Sequence, residues 1–105
     1  MSGTERILNE KVVERLNRLS RPWTFQILIL LDKDKPMRFN SIKRELDGIC
    51  SRSLSERLDE MEKDGLIKRI VTEDSPPRVE YYLTEKGQEL KKIVVEIYDL
   101  LKRWD

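Results

Sequence analysis

The chain has 105 residues, 39% of them charged, and its 21 basic side chains nearly balance its 20 acidic ones. It has one cysteine and no histidine, which removes internal disulfides and the side chain most used for general-base catalysis and metal binding. One small domain without a cofactor or metal is therefore expected over residues 1–105, in a reducing compartment, and an enzyme is not expected.

No part of the sequence predicts a membrane span or a secretion signal. The longest uninterrupted apolar run covers residues 27–31, far below the ~20 residues that cross a bilayer. Residues 1–6 lack the apolar stretch of a signal peptide. We therefore expect a cytoplasmic protein with no membrane partner.

Two helices are predicted in the first third of the chain. The first covers about residues 4–19, with Thr4 as its N-cap, and its apolar stripe is formed by Leu8, Val12, Leu16 and Leu19. The second covers about residues 22–32, because Pro22 suits a first helical turn. This second helix is apolar on nearly every face, which predicts a place in the middle of the core.

A helix-turn-helix is predicted over about residues 40–64, after a short edge strand at residues 37–39. Asn40 caps a short third helix that ends at Gly48. A fourth helix follows from about residue 51 and stops at Gly65, and its apolar face is formed by Leu54, Leu58 and Met61. Two short helices joined by a tight turn with glycine are typical of this motif.

The remaining sequence predicts a β-hairpin over about residues 66–83, called the wing below, and a long last helix. Residues 66–71 and 78–83 alternate as strands do, and Pro76 and Pro77 require a loop between them. Thr84 caps the last helix, which covers about residues 85–104. The expected fold is α+β and mainly helical: a winged helix-turn-helix with a β-hairpin wing and a C-terminal dimerisation helix.

A series of short motifs occurs in order along this framework. They read PWT at residues 22–24 before the ILIL of 27–30, RF at 38–39, GI at 48–49, LSERL at 54–58, GLIKR at 65–69, PRVEY at 77–81 and LTEKG at 83–87. Together they resemble the HxlR-type transcription regulators, a branch of the MarR-like winged-helix proteins, over about residues 8–104. The resemblance implies dimeric binding to double-stranded DNA, with the fourth helix in the major groove and the wing near the backbone.

Two positions depart from that family's pattern. Many members carry a redox-sensing cysteine about 14 residues before the tryptophan, where this chain has Asn9. A thiol switch of that type is therefore absent here. The family also usually begins its recognition helix with Ser-Pro, and this chain has Cys50-Ser51 there.

The first turns of the fourth helix are the predicted base-reading surface, because such helices present their N-terminal turns to base edges. Arg52 suits bidentate bonding to guanine, the alternative being an ordinary solvated arginine. For Glu56, a capping box with Ser53 and acceptance of a hydrogen bond from cytosine both stay open. The full predicted set is Ser51, Arg52, Ser53, Ser55, Glu56 and Arg57.

Phosphate contacts are predicted from Arg38, Lys43 and the wing residue Arg78, each with the alternative of a solvated surface charge. Residues 21–57 hold eight basic and five acidic side chains, a local excess that a nearly neutral chain needs to bind DNA. The acidic end of the fourth helix would repel phosphates, so we expect it to face away from the groove. Its residues are Asp59, Glu60, Glu62 and Asp64.

An apolar seam on the last helix predicts a homodimer. Its residues follow a 4-3-4-3 spacing like that of a coiled coil, and they are Leu90, Val94, Ile97, Leu101 and Trp104. One side of this stripe has the alternative of packing on the chain's own core. The rest, with Leu8, Val12 and Leu16, is expected to meet a second copy. A two-fold dimer places its recognition helices about 34 Å apart, which predicts a pseudo-palindromic operator.

Cys50 occupies the capping position of the fourth helix, where a helix N-terminus favours a thiolate. A redox signal at this thiol is one interpretation, and a small residue that takes the place of a capping serine is the other. A small-molecule effector stays unknown. Aromatic residues that suit an effector cleft fit the core or an interface as well; they are Trp23, Phe25, Tyr81, Tyr82 and Trp104.

A second class of function stays open, because winged helices also act as protein–protein interaction modules without sequence-specific DNA binding. The near-neutral charge and the acidic end of the fourth helix favour that class. Arg52, the serine cluster and the family resemblance favour DNA. Binding to random-sequence duplex DNA across a salt series distinguishes the two, since phosphate contacts give a steep negative slope.

Overall fold

A computed structural model describes residues 7–104 of the chain, which form five helices and a three-stranded antiparallel sheet. The elements in chain order are α1 (Glu10–Leu19), α2 (Thr24–Leu30), β1 (Met37–Arg38), α3 (Phe39–Glu45), α4 (Ser51–Lys63), β2 (Ile67–Val71), β3 (Val79–Leu83) and α5 (Glu85–Lys102). This is the mainly helical winged helix-turn-helix that the sequence predicts. No helix in the described part of the chain is both long and apolar enough to cross a membrane.

Helix α1 begins later than the apolar spacing predicts. The side-chain oxygen of Asn9 accepts hydrogen bonds from the backbone N–H of Lys11 at 2.9 Å and of Val12 at 3.2 Å, so Asn9 is the N-cap. Leu8 lies in the bend before the helix, and the predicted cap Thr4 lies outside the described residues. The apolar spacing alone predicts a longer helix, because it carries no information about the Asn9 cap at which the helix begins.

Helix α2 begins at Thr24, so the expectation that Pro22 opens it was wrong. Trp23 stands between them in the left-handed conformation, with φ of 76°, and this interrupts any helix that starts at Pro22. The central position of α2 is confirmed, because Thr24, Ile27 and Leu28 are buried. Trp23 itself packs against the core, which gives this strained residue a compensating contact.

Helix α3 begins at Phe39, and Asn40 lies inside it rather than at its N-cap. The N-cap position belongs to Arg38, which is also the last residue of β1 and is paired with Glu80 of β3. Sheet pairing therefore decides where α3 starts.

The predicted stop at Gly65 is confirmed, since α4 ends at Lys63 with Asp64 as its C-cap and Gly65 has a positive φ of 78°. The stop predicted at Gly48 was wrong: Gly48 has a positive φ of 92°, but α3 already ends at Glu45, and Gly48 lies in the turn that follows.

The sheet has the strand order β1-β3-β2, so β1 is an edge strand as predicted. Strands β2 and β3 pair from Ile67 opposite Leu83 to Val71 opposite Val79. At the tip of this wing, the Thr72 side chain accepts a hydrogen bond from the Arg78 backbone N–H at 2.9 Å. The two consecutive prolines fall in the loop between the strands, where the sequence placed them.

One cluster of buried side chains forms the core, with contributions from α2, α3, α4, the sheet and α5. Helix α5 is tied to the end of α2 by Lys91, whose ammonium donates to the Leu31 carbonyl at 2.5 Å. The buried apolar residues include Ile27, Leu28, Leu31, Ile42, Leu54, Leu58, Met61, Ile67, Leu83 and Val94.

The start of α5 is built onto the end of α4. The Thr84 hydroxyl accepts from the Gly87 N–H at 3.1 Å, as predicted for an N-cap, and donates to the Gly65 carbonyl at 2.5 Å. The Lys86 ammonium donates to the Asp64 carbonyl at 2.7 Å. These bonds satisfy carbonyls at the C-terminal end of α4, which have no partner within that helix.

The molecule is elongated, with extents of 62 × 34 × 25 Å and a radius of gyration of 16.2 Å. A compact chain of this length has a radius of about 13 Å. Helix α1 has no buried residue, and the last turns of α5 are exposed. The two terminal helices therefore project from the core.

Gly87→Ala should destabilise the fold by about 3 kcal/mol, the upper part of the usual range for overpacking. A Cβ atom at this position would lie 2.0 Å from the Leu66 carbonyl oxygen, a rigid backbone atom. Gly48→Ala is the matched control, because nothing lies within 4 Å of its Cβ and only the positive φ opposes it. We expect about 1 kcal/mol there. Denaturant unfolding measures both, and equal destabilisation by the two variants would contradict the close approach at Gly87.

Candidate nucleic-acid interface

The N-terminal end of α4 is exposed and held in place by the buried face of the same helix. Leu54, Leu58 and Met61 are buried, as predicted, and they fix the rotation of α4 about its axis. Ser51, Arg52, Ser55 and Glu56 consequently face solvent, and Ser53 is half-buried. The structure brings these predicted site residues together on one surface.

Cys50 caps α4, the role that a serine usually fills. Its sulfur accepts a hydrogen bond from the Ser53 backbone N–H at 3.4 Å, and its thiol lies 3.2 Å from the Ser53 hydroxyl. In the thiolate form, the Ser53 hydroxyl and the Ser53 backbone N–H can both donate to the sulfur, which lowers the pKa of Cys50 below its ordinary value. The predicted interpretation of a small residue in the capping place therefore has direct geometric support.

Arg52 and Glu56 form an ion pair one helical turn apart. The Arg52 Nε lies 3.1 Å from Glu56 Oε1, and the Arg52 side chain is 90% exposed. Because Glu56 bonds to Arg52 and Cys50 provides the cap, the capping box between Ser53 and Glu56 is not formed. An exposed pair of this spacing contributes about 0.3–0.5 kcal/mol, so a better acceptor can displace Glu56 from Arg52.

Arg57 differs from its neighbours because its side chain is only 14% exposed. Its Nη1 donates to Glu60 Oε2 at 2.9 Å, and its buried Nε has no hydrogen-bond partner among the described residues. The sequence grouped Arg57 with the base-reading residues. The structure instead directs it toward the C-terminal half of the helix.

The acidic end of α4 is largely paired within the protein. Glu60 bonds to Arg21 as well as to Arg57, and Asp64 bonds to Arg18. Asp59 lies 3.8 Å from Lys63 on the next turn. The pairs from Arg18 and Arg21 reach across the fold, so no local sequence pattern predicts them.

Glu62 and Arg69 line a groove of about 360 Å3 between α4 and the wing. Phe39, Val79 and Tyr81 form its apolar part, and Ser55 and Asp59 border it on α4. Arg69 is exposed on β2, so the structure adds a cation to this side of the molecule that the sequence did not assign to the site.

The three predicted phosphate-binding residues lie on three different parts of the fold. Arg38 ends β1, Lys43 lies on α3, Arg78 lies in the wing, and all three side chains are exposed. Within residues 7–104, Arg38 and Lys43 have no ion-pair or side-chain hydrogen-bond partner. Arg78 lies 3.8 Å from Asp74 within the wing loop.

Most of the predicted dimer seam is exposed, and Val94 and Leu90 are the exceptions. Val94 is buried in the chain's own core, so it is not available to a partner, and Leu90 packs partly against that core. This corrects the assignment of both to the interface, since the inner side of α5 packs on α2. The members that remain exposed are Leu8, Val12, Leu16, Ile97, Leu101 and Trp104, joined by Ile93, Tyr98 and Leu100.

Of the two interpretations left open for the aromatic residues, an effector cleft or packing in the core and an interface, the structure favours the second. Trp23 and Phe25 pack against the core and Tyr81 is buried in it, while Trp104 is exposed at the far end of α5. A cleft of about 520 Å3 lies between α1, the end of α4 and α5, and its lining is charged and aliphatic. Residues 7–104 contain no group of three or more acidic or cysteine side chains placed to hold a metal ion.

The chain is similar to known regulators in sequence and in fold. A family model described as HxlR-like helix-turn-helix matches residues 18–105. An uncharacterized HTH-type transcriptional regulator of Halalkalibacterium halodurans is 40% identical over 82 residues, covering 78% of this chain and 73% of that protein. Another from Methanothermobacter thermautotrophicus is 43% identical over 89 residues, covering 85% of this chain and 64% of that protein. A solved structure described as a MarR-family transcriptional regulator of Porphyromonas gingivalis has a TM-score of 0.84 at 29% identity, covering 94% of this chain and 98% of that one.

Ser53→Ala should raise the pKa of Cys50, because it removes the side-chain hydrogen bond that lowers it most. The pH midpoint of the alkylation rate with iodoacetamide measures this pKa, and the midpoint should move to higher pH. At neutral pH the variant should therefore react more slowly. Ser55→Ala is the control, because Ser55 lies on the same helix without contacting the thiol. Identical midpoints in Ser53→Ala and wild type would contradict the assignment.

Proposed function

The chain belongs to the HxlR-like helix-turn-helix family of DNA-binding transcription regulators, and from this premise we propose that it binds a pseudo-palindromic operator as a homodimer. The observation that carries the proposal is the exposed N-terminal end of α4, residues 51–56, fixed by the buried face behind it. A regulator acting on genomic DNA works in the cytoplasm, and this location is part of the proposal.

Arg52 is the principal base-reading residue of the proposal. Its guanidinium can donate two hydrogen bonds to one guanine in the major groove. In the free protein, Glu56 keeps this side chain extended along α4 through the bond of 3.1 Å. Once Arg52 turns to guanine, Glu56 can accept a hydrogen bond from the amino group of a neighbouring cytosine, and Ser51 and Ser55 can serve as donors or acceptors.

Arg57 has a supporting role in this proposal rather than a base contact. Its partly buried guanidinium forms an ion pair with Glu60, and breaking this pair would leave Glu60 with one cation fewer. The base-reading set therefore reduces to Ser51, Arg52, Ser55 and Glu56, with Ser53 at its half-buried edge.

Arg38, Lys43 and Arg78 are the proposed phosphate-binding residues. Arg38 and Lys43 are exposed on the elements that precede α4, and Arg78 is exposed on the wing. Cations on both sides of the base-reading surface can bind the two backbone strands that border the groove. Arg69 on β2 is a further candidate for this role.

The exposed apolar faces of α1 and α5 are the proposed dimer interface. Trp104 is 68% exposed and Leu16 is 54% exposed, which is costly for side chains of this size in a monomer. Large apolar patches on a protein surface mark interaction sites. A second copy of the chain presents the same patch, so a two-fold contact can cover both.

That oxidation or alkylation of Cys50 regulates DNA binding remains a prediction. A bulky adduct on this exposed thiol would stand at the end of α4 that we propose for the groove. In that case a mild oxidant releases DNA from wild type and not from Cys50→Ser. Release from both proteins would assign Cys50 to capping alone.

Arg52→Ala should lower the preference for the operator over random DNA by about 1–3 kcal/mol and leave non-specific binding nearly unchanged. The effect is specific because the substitution removes a bond to a base and leaves the phosphate-binding cations in place. Mobility-shift titrations with selected and random duplexes measure the ratio. Lys63→Ala is the control, since Lys63 is an exposed cation in the last turn of the same helix.

The same titrations across a salt series test the DNA role itself. Removal of one phosphate-binding cation, as in Lys43→Ala, should reduce the slope of log affinity against log salt by about 1. Wild-type protein that ignores duplex DNA at low salt would favour the protein–protein interaction module instead.

Leu16→Asp should turn the dimer into a monomer, because a carboxylate in an apolar interface loses its hydration without a partner. Val71→Asp is the matched control, as Val71 lies on the wing with 55% exposure, close to the 54% of Leu16. Sedimentation at micromolar concentration measures both. A monomeric wild type would contradict the homodimer. A Leu16→Asp variant that remains dimeric would mean that α1 is not part of the interface.

A further inference from the structure

A cluster of five charged residues joins the end of α1 to the C-terminal half of α4. Arg18 at the end of α1 bonds to Asp64 after α4, a residue 46 positions away in sequence. Arg21, in the turn before α2, bonds to Glu60, which also accepts from Arg57 at 2.9 Å. We call Arg18, Arg21, Arg57, Glu60 and Asp64 the arginine clamp.

The clamp is more withdrawn from water than the other ion pairs of α4. The side chains of Arg57, Asp64 and Glu60 are each buried by more than half, and the Nε of Arg57 is fully enclosed. By contrast, Arg52 with Glu56 and Lys63 with Asp59 are largely exposed pairs. Removal of Glu60 would leave the enclosed guanidinium of Arg57 without its counter-charge, which is costly in such surroundings.

Packing alone does little to orient α1. None of its residues is buried, and Leu19 at its last position is the member that packs against the core. In the clamp, Arg18 lies next to Leu19 and is bonded to Asp64 at the end of α4. Ion pairs therefore supply directional contacts where apolar contacts are sparse.

We propose that the arginine clamp fixes the angle between α1 and α4 and thereby selects the spacing of the two operator half-sites. The proposal rests on the proposed homodimer, since α1 carries Val12 and Leu16 of its interface. A helix of this length spans about 15 Å, so a tilt of about 10° moves its far end by about 3 Å. The rise per base pair is about 3.4 Å, so such a tilt shifts the half-site register by nearly one base pair.

A purely stabilising role is the competing explanation. Partly exposed ion pairs contribute modestly to stability, and in that case their removal would lower the melting temperature without changing any geometry. The two explanations differ in one observable, because only the positioning role changes which spacer length the dimer prefers.

The test uses full-length protein and an operator selected from a random duplex library. The spacer between the half-sites is then lengthened and shortened by one base pair, and affinities are measured by mobility shift. We expect wild type to bind the operator with the selected spacer about tenfold more tightly than the operator with the longer or the shorter spacer. A difference of this size is typical of one altered base pair in a binding site.

Arg18→Asp should shift the preferred spacer or reduce the discrimination to less than about threefold, and Arg18→Asp with Asp64→Arg should restore it. Glu60→Gln is the second variant, because it keeps the side-chain volume and removes only the charge. Asp59→Lys with Lys63→Asp reverses an exposed pair on the same helix and should leave the spacer preference unchanged.

Clamp variants that keep the wild-type spacer preference while losing thermal stability would overturn the positioning role and leave the proposed function intact. A double charge reversal that fails to restore the preference would also overturn it, provided that circular dichroism shows a folded protein. Wild-type protein that selects no operator or sediments as a monomer would overturn the proposed function together with this inference.

Discussion

The burial of one face of α4 is the constraint on which the rest of the molecule depends. Leu54, Leu58 and Met61 lock the helix into the core formed with α2 and the sheet, so its rotation about its own axis is not free. The opposite face must then present Arg52 and Glu56 to solvent. The surface that we propose for DNA recognition is, in physical terms, a consequence of core packing on the other side of the same helix.

The distribution of charge along α4 explains how a nearly neutral chain belongs to a family that binds DNA. The acidic half of the helix would repel phosphates, yet Glu60 and Asp64 are bonded to arginines from other elements. The N-terminal half keeps Arg52 exposed and the neighbouring elements add Arg38 and Lys43. Net charge therefore says little about this surface, because internal pairing removes the acidic contribution locally.

The chain leaves a large apolar surface uncovered. Its core ends midway along α5, where Val94 is buried, and the turns beyond it expose Ile97, Leu101 and Trp104. Helix α1 has almost no apolar support within the chain. The elongated shape and the exposed faces share one cause, namely that the terminal helices extend past the core that this chain can build alone.

Apolar spacing, glycines, prolines and the capping residue Thr84 were sufficient to predict the order of the elements, the helix-turn-helix, the wing and the start of α5, because all of these are local signals. They were not sufficient to predict where α1, α2 and α3 begin. Those starts depend on three features of the folded chain, namely the cap at Asn9, the left-handed conformation of Trp23 and the pairing of Arg38 in the sheet. The local sequence allowed other starting points in each case. The burial of Val94, the bond from Arg21 to Glu60 and the bond from Arg18 to Asp64 became visible only in three dimensions, since each depends on how helices pack together.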